Sequence, residues 1–160
     1  MNHKKISIIC FFIFFVFFSK QIYAYQQDIV TKYDDIFSSK VLSEEDVYIT
    51  NVVNWRPPDN RTPNDNEILE FLPFLQRQID IIKPKFIFLL GGVAAKAILS
   101  TPLALGKLRG KLHEYKSLNL DESIPTIASY HPAFLLRSPK YKKHSWEDLQ
   151  MLQEKLKNVS

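Results

Sequence analysis

Lys85-Phe86-Ile87-Phe88-Leu89-Leu90-Gly91-Gly92 decides the fold. A near-continuous apolar run of this kind is what a parallel strand covered on both faces requires. The glycine pair then turns the chain into a short helix over 93–99, ended by Pro102. Upstream, Ile68, Leu72, Leu75, Ile79 and Ile82 recur at helical spacing and give one apolar face, behind a cap at Asn64 or Asp65 and before a stop at Pro84. Earlier still, Val47-Tyr48-Ile49-Thr50-Asn51-Val52-Val53 is a strand by its β-branched and aromatic content. Three prolines make 56–63 an ordered loop. Downstream, Leu108-Arg109-Gly110-Lys111 is a basic turn before a short strand, Leu112-His113-Glu114-Tyr115. Ile124-Pro125-Thr126-Ile127-Ala128 reads as a buried strand, and Trp146, Leu149, Leu152 and Leu156 as the apolar stripe of a last helix. Strands alternating with helices imply an α/β fold of three layers, α/β/α, around a short parallel sheet. Ligands in such sheets bind off the carboxyl ends of the strands. Asn51, Gly91 and His131 each stand at or just past such an end, so they should converge on one rim.

The strand at 124–128 leads into Ser129-Tyr130-His131-Pro132-Ala133-Phe134-Leu135-Leu136-Arg137. This loop offers one imidazole, two adjacent leucines and a cation. Pro132 pushes His131 away from helical dihedrals towards an extended conformation, so its ring is held out at the strand's end. A lone histidine is more often structural or solvated than functional, and its neighbours must raise its standing.

The chain has 160 residues, enough for one domain with a real core. Its net charge of +4 suggests nucleic acid, but three of the 21 basic residues, Lys4, Lys5 and Lys20, precede Tyr25 and no acid does. From Tyr25 onward 18 basic residues face 17 acidic ones, so a polyanion site would need local clustering. The single cysteine, Cys10, lies in the amino-terminal apolar run. Disulfides, thiolate metal sites and a cysteine nucleophile are thereby excluded from the body.

Residues 1–24 have the three parts of a secretory signal: a basic start, an apolar core over 6–18 and a polar stretch ending in Ala24. That core is short for a membrane span, which needs about 20 residues. A cleaved signal, a retained anchor that would bring a membrane into contact, and a decayed start are the three readings. The Ile/Phe/Val content would also suit a buried strand if the segment stayed attached. Residues 25–42 are expected to be a linker or short helix, and 43–160 the folded domain. No glycine occurs before Gly91, so no glycine-dependent tight turn exists in the first half of the chain.

In combination and order, Val47-Tyr48-Ile49-Thr50-Asn51, Arg56-Pro57-Pro58-x-Asn60-Arg61, 85–91, Lys107-Leu108-Arg109-Gly110 and His131-Pro132-Ala133-x-Leu135-Leu136-Arg137 resemble the family 4 uracil-DNA glycosylases. The likeness runs from about Ser43 to Leu156. It implies an enzyme acting as a monomer on uracil-containing DNA in the cytoplasm, which flips the uracil out and hydrolyses its N-glycosidic bond. Asn51 matches the asparagine that reads the uracil edge, an amide having both donor and acceptor. The plain alternative is an asparagine ending a strand. His131 matches the catalytic histidine that donates to uracil O2 as charge develops on the leaving base. Leu135 and Leu136 match the apolar wedge that fills the vacated space, unless they pack in the core. Arg137, Arg109, Lys111, Lys140, Lys142 and Lys143 would lie against phosphates.

Three parts of that family pattern are missing. The Gly-Glu-Ala-Pro-Gly-type turn that positions the attacking water, at the end of the family's first strand, has no counterpart. The Pro-Phe-Val-Gly stretch, whose phenylalanine stacks on the flipped base, is also gone. Trp55 and Phe71 stand at two of the iron–sulfur cysteine positions, so no cofactor and no metal is expected. Without the first strand, which is central in the family, the sheet is incomplete and two apolar edges are exposed. Either the amino segment substitutes for it or the body is marginal. Little or no turnover is expected, with a non-catalytic DNA-binding remnant or an exported protein of unrelated role as the alternatives.

Overall fold

A computed structural model describes residues 6–10, 47–55 and 57–157. The linker or helix expected over 25–42, Arg56 and the rest of the signal-like segment beyond Ile6–Cys10 lie outside these described residues.

Five strands form one sheet: β1 (Ile6–Cys10), β2 (Val47–Asn51), β3 (Ile87–Leu90), β4 (Leu112–Tyr115) and β5 (Ile124–Ser129), in the order β2-β1-β3-β5-β4. The helices are α1 (Asp65–Ile82), α2 (Gly92–Leu99), α3 (Leu105–Leu108), α4 (Pro132–Arg137) and α5 (Lys142–Lys157), with single 3-10 turns at Pro58–Asn60 and Pro139–Tyr141. β3 is the buried centre, with Ile87 and Leu89 fully enclosed and Phe88 only 2% exposed. Ile87 and Leu89 join Leu75 and Ile79 of α1 and Ala94, Ala95 and Ile98 of α2 on one face. Phe88 and Leu90 join Ile127 and Leu149, Leu152 and Leu156 of α5 on the other. The three-layer α/β/α arrangement expected of the strand–helix alternation is therefore the one the chain adopts.

β1 lies between β2 and β3, the position at which the resemblance implies a central first strand. Ile6–Cys10 pairs in parallel with β2 over five residues and with β3 over four, so it is the link between β2 and the rest of the sheet. Of the two outcomes open to the sequence, substitution by the amino segment is the one found for Ile6–Cys10.

β4 departs from the parallel pattern and runs antiparallel to β5. The connection over 116–123 is too short for a crossover, which needs a dozen or more residues, so the chain can only turn back on itself. The last helix also differs from its expected face. Trp146 is 47% exposed, whereas Ser145 and Asp148 are buried beside Leu149 and Leu152. Positions 145, 148, 149, 152 and 156 follow the i, i+3, i+4, i+7 stripe, which leaves Trp146 off the buried face.

α1 starts as its sequence dictates. The Asn64 side chain accepts from Glu67 N and the Glu67 carboxylate accepts from Asn64 N, a reciprocal cap. Arg61 closes a fork on the same carboxylate at 2.8 and 2.7 Å. The helix ends at Lys83, in the left-handed region, immediately before Pro84. No described helix is long and apolar enough to cross a membrane.

Candidate functional site

The parallel strands end together. Asn51 is level with Cys10, Cys10 with Leu90, and Leu90 with Ser129, a single row across four strands. Beyond that row the chain leaves β3 through Gly91 and β5 through Tyr130 and His131. Gly91 N–H donates to the Ser129 carbonyl at 2.9 Å, tying the two exits together. Gly91 has φ +99, and a Cβ built there would lie 3.2 Å from the His131 Cβ. Only a glycine accommodates both the backbone angle and the approach of the histidine. His131 thus sits over the end of β3. Asn51 is two strands away across the end of β1, roughly 10 Å at ordinary strand spacing.

His131 is extended, at φ −67 and ψ 139, and caps α4, as its following proline requires. Its Nδ1 accepts from the Ala133 N–H at 3.1 Å. An accepting Nδ1 carries no proton, so the ring is the neutral tautomer with its hydrogen on Nε2. Nε2 is itself buried. The arrangement presents a neutral N–H donor, shielded from water, of the kind that stabilises a forming anion.

The two leucines of this loop separate. Leu135 is 3% exposed and belongs to the interior, while Leu136 is half-buried and Arg137 exposed. Successive residues on a helix point about 100° apart, so one of the pair turns inward and the other stays near the surface. Lys111 is exposed. Arg109, also expected against phosphate, is committed elsewhere. It donates from Nε to Asp148 Oδ2 at 3.1 Å, from NH2 to Asp148 Oδ1 at 2.7 Å and from NH2 to the His144 carbonyl at 2.6 Å. Burial alone would lower its pKa, but the hydrogen bonds and charge of Asp148 outweigh it and the net shift is upward.

Asp148 is the residue that the motif reading missed. It is fully buried, and Ser129 Oγ donates to its Oδ2 at 2.6 Å, with Ser145 Oγ 3.2 Å from Ser129 Oγ. Its place on the apolar stripe of α5 was the available signal, since a lone acid there needs a buried partner. The aromatic cluster beside the loop was equally unmarked. Tyr130 and Phe134 stack at 5.1 Å and 24°, and Tyr141 leans on both at 5.1 and 5.2 Å.

Iron–sulfur clusters are held by cysteine thiolates. Trp55 and Phe71 supply none, and among the described residues no group of three or more His, Cys, Asp or Glu side chains is placed to hold a metal ion.

The family model for the uracil DNA glycosylase superfamily matches residues 18–150. A type-4 uracil-DNA glycosylase of Pyrobaculum aerophilum is 40% identical over 110 residues, covering 66% of this chain and 55% of that protein. Another, of Sulfurisphaera tokodaii, is 40% identical over 117 residues, covering 71% and 52%. One of Archaeoglobus fulgidus is 33% identical over 124 residues, covering 75% and 61%. The chain spans about half the length of the curated relatives it matches. With the family model covering most of its length, and with type-4 enzymes among its relatives, this chain belongs to the uracil-DNA glycosylase superfamily and is most like family 4.

Proposed function

We propose that this chain binds uracil extruded from DNA between Asn51 and His131, and that it hydrolyses the N-glycosidic bond slowly or not at all. The observation that carries this reading is the shared rim: Asn51 lies level with Leu90 and Ser129, and His131 stands over Gly91 with its Nδ1 accepting from the Ala133 N–H. In the reaction, the bond from uracil N1 to the sugar C1′ breaks with its electron pair going to the base, water adds to C1′ and gives up a proton to solvent, and the uracil anion takes up a proton after it departs. Negative charge spreads onto uracil O2, where the His131 N–H would donate. Asn51 would pair with N3–H and O4 through its amide. Such a donor is typically worth ~10²–10³ in rate.

A residue that positions the attacking water commonly adds ~10²–10⁴. The family turn that supplies it is absent from this sequence, which supports low turnover and keeps a non-catalytic uracil-binding role as the second reading. The half-buried Leu136 and the exposed Arg137 are the residues of the loop that would enter the groove, with Lys111 against phosphate. We read the protein as a monomer without an iron–sulfur cluster or metal. Pairing of Ile6–Cys10 with both neighbours supports a reading in which the amino segment stays attached and the protein remains in the cytoplasm with its DNA.

Uracil-containing single-stranded and duplex oligonucleotides, treated with alkali and resolved on gels, test the proposal. Slow cleavage, or none, with uracil-dependent binding that His131→Ala weakens is expected. Equal behaviour of uracil and thymine oligonucleotides towards both proteins would overturn it.

A further inference from the structure

We infer that Arg109 and Asp148 are positioning residues for His131, acting through Ser129. Ser129 is the last residue of β5, 1% exposed, and is held at both ends. Its carbonyl accepts from Gly91 N–H at 2.9 Å, and its hydroxyl donates to Asp148 Oδ2 at 2.6 Å. Asp148 is oriented by the Arg109 fork, because Nε and NH2 each donate to one carboxylate oxygen. The same guanidinium lies 5.8 Å from the centre of the Tyr130 ring. Arg109 thus touches both residues that precede His131, Ser129 through Asp148 and Tyr130 directly.

The consequence falls on the ring two residues on. His131 keeps its hydrogen on Nε2 only while Nδ1 stays 3.1 Å from the Ala133 N–H. That cap depends on where the strand exit places the His131 backbone, and the exit is fixed by Ser129. Hydrogen-bonded supports of this kind set the orientation and tautomer of a working histidine. The fork also spans the fold: Arg109 follows α3 and Asp148 lies on α5, so helices from separate layers meet at this strand end.

The inference rests on His131 being the donor to the base, but its test needs no DNA. Full-length protein labelled with 15N at histidine reports the tautomer of His131 by NMR. In the wild type, Nδ1 should read as an unprotonated acceptor and Nε2 as protonated. Asp148→Asn keeps the shape and gives up the charge that orients Arg109, and Ser129→Ala deletes only the hydroxyl. Both should move the two resonances towards those of a tautomer mixture. Leu152→Ala, on the same buried face of α5 but outside the network, should lower Tm and leave them in place. If Asp148→Asn does not fold, Ser129→Ala alone decides. Folded variants whose His131 resonances superimpose on the wild type would overturn the inference, as would Leu152→Ala shifting them equally. A shift seen in a protein that fails to bind uracil oligonucleotides would count against the DNA reading and leave the positioning role intact.

Discussion

The His131 Cβ approaches Gly91 so closely that Gly91 has no room for a side chain. Gly91→Ala places a methyl 3.2 Å from the His131 Cβ, on a backbone at φ +99. It should cost about 1–3 kcal/mol, read as a fall in the urea midpoint, and it should weaken uracil-dependent binding beyond what the stability loss explains. The two basic residues beside this rim should behave differently. Arg109→Ala leaves a buried Asp148 carboxylate without its partner, which should destabilise by about 3 kcal/mol. Lys111→Ala should leave stability within about 0.5 kcal/mol and reduce the salt dependence of DNA binding. At this scale the sequence was half legible. The extended backbone of His131 was legible in the proline after it. Arg109 could not be told from a phosphate ligand, because an arginine reads alike in both roles and Asp148 lies far along the chain. Leu135 and Leu136 looked equivalent until a helix put one inside.

At the scale of elements, β1 bears the most weight. β2 has no described strand partner except β1, so removing residues 1–10 should abolish cooperative unfolding and expose apolar surface to a hydrophobic dye. A truncated chain that still unfolds in one sharp transition would contradict the placement of Ile6–Cys10. This strand was legible only as one alternative among several, since an Ile/Phe/Val run has the same composition in a signal core and in a buried strand. The start of α1 was narrowed to a cap at Asn64 or Asp65, and the structure shows Asn64 capping with Glu67 answering it. There the Arg61 hydrogen bond, aided by the Asn64 N–H, holds the Glu67 carboxyl at about 2, below its ordinary 4.5. A lowered carboxyl contributes stability above its unfolded pKa and loses it as pH falls through the folded value. The cap should therefore persist at pH 5 and loosen between about 4.5 and 2. Carbon NMR of Glu67 should show this low midpoint, and Arg61→Ala should raise it. An unchanged midpoint in that variant would remove Arg61 as the cause.

Across the whole molecule, the layers and the common rim followed from periodicity because burial on both faces leaves an unbroken apolar strand such as Ile87–Leu90. The antiparallel β4 did not, since its direction is set by the length of the 116–123 connection. The central claim is that one uracil is gripped at once by an amide from early in the chain and an imidazole from late in it. NMR titration with a short single-stranded oligonucleotide carrying one uracil, following the Asn51 side-chain amide and the His131 ring together, tests it most directly. Both signals should shift with one shared affinity, and the same oligonucleotide with thymine should move neither. A uracil titration that shifts His131 and leaves Asn51 unmoved, or moves them with unrelated affinities, would contradict it.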